Sequence, residues 1–332
     1  MRIVVDAFGG DNAPLEIVKG AAAASVEYSV EITFTGDEEV IRRIIAENGL
    51  KFFGELVIVH TKDVISMHDE PTSLIKAHSN SSMALAFTEL KEDRADAFVS
   101  AGSTGAVIVG GTLIVKRIKG VKRPALGGIL PSPDGSYMLL DMGANADCRP
   151  EMLLQFGIMA SIYLEKVDGR KNPTVGLLNI GTEDTKGDEL HKEAYKLLEK
   201  SGLNFVGNIE SREMPKGACD AVVADGFTGN IALKLIEGTA STLFKMIKRV
   251  LYKSLPNKIA ALILKKDLYG LKKIMDSSEI GGAPLLGVTK PVIKAHGNSD
   301  AAAFKNAIRQ AKQFTECGAI AAISENISKR SE

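Results

Sequence analysis

Short runs of β-branched and apolar residues alternate with longer amphipathic stretches along almost the whole chain, and nothing else in the sequence constrains the fold as strongly. Strands are expected at 3–5, 31–35, 56–60, 97–100, 126–130, 137–141, 175–180, 205–209 and 221–224. Helical patterns fall between them at 13–27, 37–47, 73–92, 105–118, 150–166 and 186–200. The strand segments are continuous apolar runs without strict alternation, which is how a strand covered on both faces reads. Repeated strand–helix units predict an α/β fold, a mostly parallel doubly wound sheet with helices on both faces. The pattern changes after 221–224. Residues 228–275 read as mainly helical with breaks at Pro256 and near Gly270, 281–287 as a loop, and about 298–327 as one long final helix.

The 332 residues suit one large unit or two lobes. Composition marks no sharp boundary, so the expectation is a single α/β unit over 1–332, with lobes 1–120 plus 283–332 and 121–282. Lysine plus arginine (41) balances aspartate plus glutamate (41). A polyanion-binding block is thereby excluded, nucleic acid is not an expected partner, and any basic face is local. Three scattered cysteines define neither a disulfide framework nor a CxxC pair. The first residues enter a strand directly, without a secretory pattern. Ala97–Val115 carries no charge, but the polar, Gly-rich Ser100–Gly105 interrupts it, so strand, turn and helix is the reading and not a membrane span. A cytoplasmic protein is expected.

Ligands of doubly wound sheets bind beyond the carboxyl ends of strands, where loops enter helix N-termini. Five expected strand ends carry small polar residues with glycine: Asp6–Asp11, Ser100–Gly105, Asp141–Asn145, Asn179–Thr182 and Asp225–Asn230. Free N–H groups and the helix dipole favour phosphate or an oxyanion there, although one such loop alone is equally a turn with a cap. Five at one sheet end would point to a phosphate-bearing ligand. Gly105 is followed by Ala106-Val107, which removes a P-loop, and no GxGxxG follows the first strand. The five histidines include no HExxH pair, and GxSxG is absent. Cys148, between Asp147 and Arg149, reads either as an activated thiol or as a small half-buried residue. The expectation is a phosphate site without cofactor, metal or covalent nucleophile.

The loops Asp6–Pro14, Ser100–Gly105, Arg123–Leu126 with Pro131, Leu140–Asn145, Gly176–Gly181, Gly207–Glu210, Asp225–Asn230 and His296–Ser299 occur in an order that resembles the bacterial fatty acyl–acyl-carrier-protein:phosphate acyltransferases, the PlsX family. The resemblance runs from Asp6 to about Ala303. One position departs: Ser103 stands where the family has asparagine, so a carboxamide role is not carried over. The resemblance implies transfer of a fatty acyl group from acyl-carrier protein to inorganic phosphate, at the entry to phospholipid synthesis. It also implies a homodimer formed through lobe 121–282 and a fold like that of isocitrate and isopropylmalate dehydrogenases. The product would pass to an acylphosphate:glycerol-3-phosphate acyltransferase.

For phosphate and oxyanion contacts the candidates are Ser100, Gly102, Ser103, Thr104, Gly105 and Thr228, with Asn230, His296 and Asp225 as catalytic candidates. Asp225 reads equally as a helix cap, and His296 as a turn residue. Asp6, Asp11, Asp141 and Asn145 are expected to position the loops. Residues 243–275 hold nine basic side chains against one acidic, Asp267, interleaved with apolar ones. Lys245, Lys248, Arg249, Lys253, Lys258, Lys265 and Lys266 would make a protruding basic helical surface for anionic lipid or for the acidic carrier protein, or else pack a dimer mate. Two other readings stay open. One is a metal- and NAD-dependent decarboxylating dehydrogenase of the same fold; the other is a non-enzymatic carrier-protein or membrane adaptor.

Overall fold

A computed structural model describes residues 1–274 and 281–330. Met275, where the basic helical pattern was expected to end, and the last two residues lie outside the described residues. The N-terminal half runs β1 (Arg2–Asp6), α1 (Leu15–Tyr28), β2 (Glu31–Gly36), α2 (Glu38–Glu47) and β3 (Leu56–His60), then α3 (Ser82–Lys91), β4 (Ala97–Ser100) and α4 (Thr104–Gly110). A hairpin of β5 (Ala125–Ser132) and β6 (Gly135–Leu140) leads to α5 (Pro150–Val167) and β7 (Thr174–Asn179). Then come α6 (Glu189–Glu199), β8 (Asn204–Glu210), β9 (Ala221–Val223), α7 (Gly226–Leu251) and α8 (Leu255–Ile274). The chain closes with β10 (Ala283–Leu286), β11 (Val292–Lys294), α9 (Ala301–Glu316) and α10 (Ala319–Lys329).

All eleven strands join one sheet in the order β3-β2-β1-β4-β11-β10-β5-β6-β9-β7-β8. The central apolar runs are covered on both faces: Ile3, Val4 and Val5 of β1 and Phe98 and Val99 of β4 have no exposed surface. Most helices start on a short acceptor side chain; Asp37, Ser81, Asp188, Asp225 and Asp300 each accept a backbone N–H of the first turn. The sheet is mostly parallel, as the alternation predicts.

Several expected elements differ. The 281–287 loop contains β10, and β11 follows it; both are too short for a periodicity signal, and they insert between β4 and β5. The helix expected at 73–92 divides into a 3₁₀ turn at Pro71–Ile75 and α3, because Ser81 caps a new start. That at 105–118 is α4 continued by a π-helical turn, Gly111–Lys116. The final helix breaks at Gly318, whose φ of 72° suits glycine. In 228–274 the break falls before Leu255, so Pro256 lies in the first turn of α8, and the helix continues through Gly270.

The larger correction concerns strand direction. β10 is antiparallel to β11 and to β5, and β5 to β6. Strands β6, β7, β8 and β9 therefore run opposite to β1, β2, β3, β4 and β11, and the five polar loops do not share one sheet end. Register brings part of them together. Lys294 ends β11 opposite Ala283, Leu285 pairs with Leu126, and Gly127 pairs with Leu140. Through Pro284, which pairs with Ile293, Leu140 falls in line with Ile293, so the end of β6 is offset from the end of β11 by one residue, roughly 3.4 Å along the strands. The loops after β1, β4 and β11 consequently share a cleft with the first turns of α7.

Candidate active site

Two buried carboxylates hold the loops around this cleft. Asp6, at the end of β1, accepts hydrogen bonds from Ser82 Oγ (2.6 Å), Ser100 Oγ (2.8 Å) and the Phe8 N–H (3.3 Å). Ser100 Oγ in turn accepts the Gly102 N–H at 2.9 Å. Burial pushes the Asp6 carboxyl up, while these donors and Lys294 oppose the rise. Asp141, after β6, accepts from the N–H groups of Leu126 (3.0 Å), Gly143 (3.2 Å), Ala144 (3.0 Å) and Asn145 (2.7 Å), and from Asn145 Nδ2 (2.9 Å). Burial raises its pKa as well, against those bonds. Asn145 Nδ2 also reaches the Pro124 carbonyl at 2.7 Å, and the Asn145 carbonyl receives the Gly226 N–H at 2.7 Å.

The start of α7 lies directly on this platform. A Cβ at Gly229 would stand 1.9 Å from the Asp141 carbonyl oxygen, so only glycine permits the approach. Asp225 caps the helix by accepting the Thr228 N–H at 2.9 Å. Cys148 lies beneath, its thiol donating to the Asn145 carbonyl at 3.5 Å; burial pushes that thiol up to about 12, away from nucleophilic use.

The resulting cleft is about 440 Å³. Its polar lining is Asp11, Thr104, Asn230, Lys234, Glu237 and the segment from Lys294 to Asn298. Its apolar lining is Leu126, Ile129, Leu130, Met142 and Leu233. Of the expected phosphate contacts, Thr104 lines the cleft, whereas Ser100 and Gly102 are bonded to one another and Ser103 caps α4 by accepting the Ala106 N–H at 3.5 Å. Gly105 packs toward Pro71, and Thr228 and Asp225 serve the helix start. Asn230 lies one turn further on and is exposed to the cleft. His296 Nδ1 pairs with Asn298 Oδ1 at 2.6 Å, and Nε2 makes no hydrogen bond to the described residues. Among the loop-positioning candidates, Asp6, Asp141 and Asn145 bond to loops through their side chains. Asp11 bonds only through its backbone N–H, to the Gly297 carbonyl at 2.7 Å.

Lys294 is the residue that sequence reasoning missed. It closes the apolar run Val292-Ile293, is 7% exposed, and donates from Nζ to the carbonyls of Ala101 (3.3 Å) and Ala295. Burial pulls its pKa down from 10.5 to about 8; Asp11 and Asp6 hold it up, and Lys234 adds to the fall. A lysine ending an apolar strand immediately before Ala295-His296-Gly297-Asn298 is the signal that would have found it. Among the described residues no group of three or more His, Cys, Asp or Glu side chains could hold a metal ion.

A mostly parallel sheet of this order, with charged, amide and hydrocarbon side chains lining one cleft, defines the chain as an α/β protein with a mixed polar and apolar pocket. The fold is that of phosphotransacetylases: the enzyme of that name from Streptococcus pyogenes matches with a TM-score of 0.63 at 17% identity, over 95% of this chain and 94% of that one. Residues 1–322 match the family described as fatty acid synthesis protein, and the chain belongs to that family. Among its relatives are proteins named phosphate acyltransferase. That of Oceanobacillus iheyensis is 49% identical over 336 residues, covering 100% of both chains. The protein of Bacillus pumilus is 50% identical over 331 residues, covering 99% of this chain and 98% of that one.

Proposed function

We infer that this chain is a phosphate acyltransferase, transferring a fatty acyl group from a thioester to inorganic phosphate for lipid synthesis. The observation that carries the reading is the mixed lining of one cleft, where Lys294, Asn230 and Thr104 stand with the hydrocarbon of Leu126, Ile129, Leu130 and Leu233. Hydrogen phosphate already carries nucleophilic oxygens, so the protein's task is to orient it. A phosphate oxygen attacks the thioester carbonyl, charge collects on the former carbonyl oxygen, and in this reading the Asn230 carboxamide and the Thr104 hydroxyl donate to it. The C–S bond then breaks, and the proton of hydrogen phosphate ends on sulfur. His296, through Nε2, is the side chain in the cleft suited to carry that proton.

The donor in this reading is acyl-carrier protein, an acidic partner that suits the basic helices α7 and α8. These helices also support peripheral contact with anionic membrane, since Leu235, Met246, Val250, Leu262 and Ile263 are exposed beside Lys245, Lys248, Lys265 and Lys266. No helix among the described residues is long and apolar enough to cross a membrane. Incubation with acyl-carrier-protein thioester and phosphate, with hydroxylamine trapping, tests the assignment. Hydroxamate that depends on both enzyme and phosphate is expected, with at least a tenfold loss in Asn230→Ala and in His296→Ala. No hydroxamate, with an NAD-dependent absorbance change instead, would move the chain to the dehydrogenase class.

A further inference from the structure

Acyl transfer leaves two cleft carboxylates without a role, of which Glu237 is paired with Lys234 at 2.8 Å and Asp11 is not paired among the described residues. Asp11 puts a carboxylate in the cleft where an anion is to bind, and that carboxylate makes no hydrogen bond or ion pair with the described residues. The loop is held by backbone instead, through the Asp11 N–H on Gly297 and the Asn12 carboxamide on Asn298 and Ser299. A fully deprotonated anion is repelled by such a group. An anion that keeps a proton is not, because its O–H donates a charge-assisted hydrogen bond to the carboxylate. Lys294 supplies the complementary half. Two of its three N–H donors go to the Ala101 and Ala295 carbonyls, and the third is left for the cleft it lines. Both side chains line the same cleft, and Asp11 is the first of the charges acting to keep this lysine protonated.

We propose that Asp11 and Lys294 form a proton-reading anion site, in which Lys294 holds an oxyanion and Asp11 accepts the P–OH of hydrogen phosphate. The site thereby takes phosphate and rejects sulfate, which has the same shape and charge but no proton at neutral pH. This rests on the cleft being the phosphate site, and makes Asp11 a specificity residue. A hydrogen bond to a charged group, exchanged for repulsion between like charges, is worth roughly ten- to a hundredfold in discrimination.

The experiment measures phosphate KM and competitive inhibition constants for sulfate and arsenate in acyl phosphate formation, with calorimetric binding of the same three anions. Wild type and Asp11→Asn are compared, with Asp11→Ser as a second variant and thermal unfolding followed in each. In wild type, sulfate is expected to bind about a hundredfold more weakly than phosphate, while arsenate, which keeps its proton, follows phosphate. In either folded variant the phosphate-to-sulfate ratio should fall about tenfold or more, by weaker phosphate and tighter sulfate binding. An unchanged ratio in a folded variant, or arsenate ranking with sulfate in wild type, overturns the proposal. Wild-type turnover with an unchanged ratio would sink the selection alone, whereas a wild type making no acyl phosphate would sink the functional reading beneath it.

Discussion

Ser100 Oγ donates to the Asp6 carboxylate at 2.8 Å while accepting the Gly102 N–H at 2.9 Å, so one buried hydroxyl joins the ends of β1 and β4. Both residues are fully or almost fully buried, so water does not replace a lost partner. Ser100→Ala is expected to cost about 1–3 kcal/mol of stability in denaturant unfolding. The same change frees the Gly102–Thr104 turn and should lower acyl phosphate formation by roughly tenfold, through a raised phosphate KM.

The contact of α7 with the Asp141 loop makes a second, paired expectation. Gly229→Ala would place its Cβ 1.9 Å from the carbonyl oxygen of Asp141, a residue fixed by its own N–H on the Ala224 carbonyl at 3.0 Å, so the helix start must move. A loss at or above the upper end of about 1–3 kcal/mol follows, together with loss of activity as Asn230 shifts. Gly238, further along the same helix, has nothing within 4 Å of its ideal Cβ. Gly238→Ala should therefore stabilise the protein by about 0.5–1 kcal/mol. Thermal unfolding of the two variants beside wild type checks both signs.

Particular residues show how far the sequence carries this architecture. Strands with Ile3–Val5 or Ala97–Val99 in their interior are legible because burial on both faces demands a continuous apolar run. Platform residues such as Asp141 are visible as Asp–Gly–Asn clusters, but their hydrogen-bond partners are not, since Leu126 reaches Asp141 only through the β5–β6 pairing. The reversal of strand direction was itself signalled by Asp134-Gly135 between two apolar runs, a hairpin pattern. Strands β10 and β11 stay hidden because three or four residues give no period, and with them goes Lys294, whose burial is a property of sheet order alone.

Lys294 gives the reaction its expected pH dependence. Its pKa is lowered from 10.5 to about 8, chiefly by burial. A bound phosphate favours the charged ammonium, so affinity is full below about 8 and falls about tenfold per unit as pH rises through that value. The groups that act on it are Asp11 and Asp6, which hold the proton on, and Lys234, which works against it; Glu237 and His296 line the same cleft. Lys294→Met keeps the apolar stem and removes the charge. It should raise phosphate KM by at least tenfold and abolish the alkaline limb of kcat/KM measured over about pH 6–10. An alkaline limb unchanged in that variant would assign it to another group.

The helices α7 and α8 set up the last expectation, which separates catalysis from membrane contact. Leu262 and Ile263 are 72% and 75% exposed, next to Lys265 and Lys266, and none of the four lines the cleft. Burying such side chains in a lipid interface yields on the order of 1.5–3 kcal/mol each, and neighbouring lysines add about 1 kcal/mol apiece on an anionic surface. Wild type should therefore sediment with anionic vesicles and much less with neutral ones, and added salt should weaken the binding by screening. Leu262→Asp combined with Ile263→Asp should lose vesicle binding while forming acyl phosphate from a soluble thioester within about twofold of wild type. Sedimentation velocity on the same variant divides the two roles of this face. A retained assembly size with lost vesicle binding assigns the residues to lipid, whereas a smaller species with unchanged vesicle binding assigns them to contact between copies of the chain.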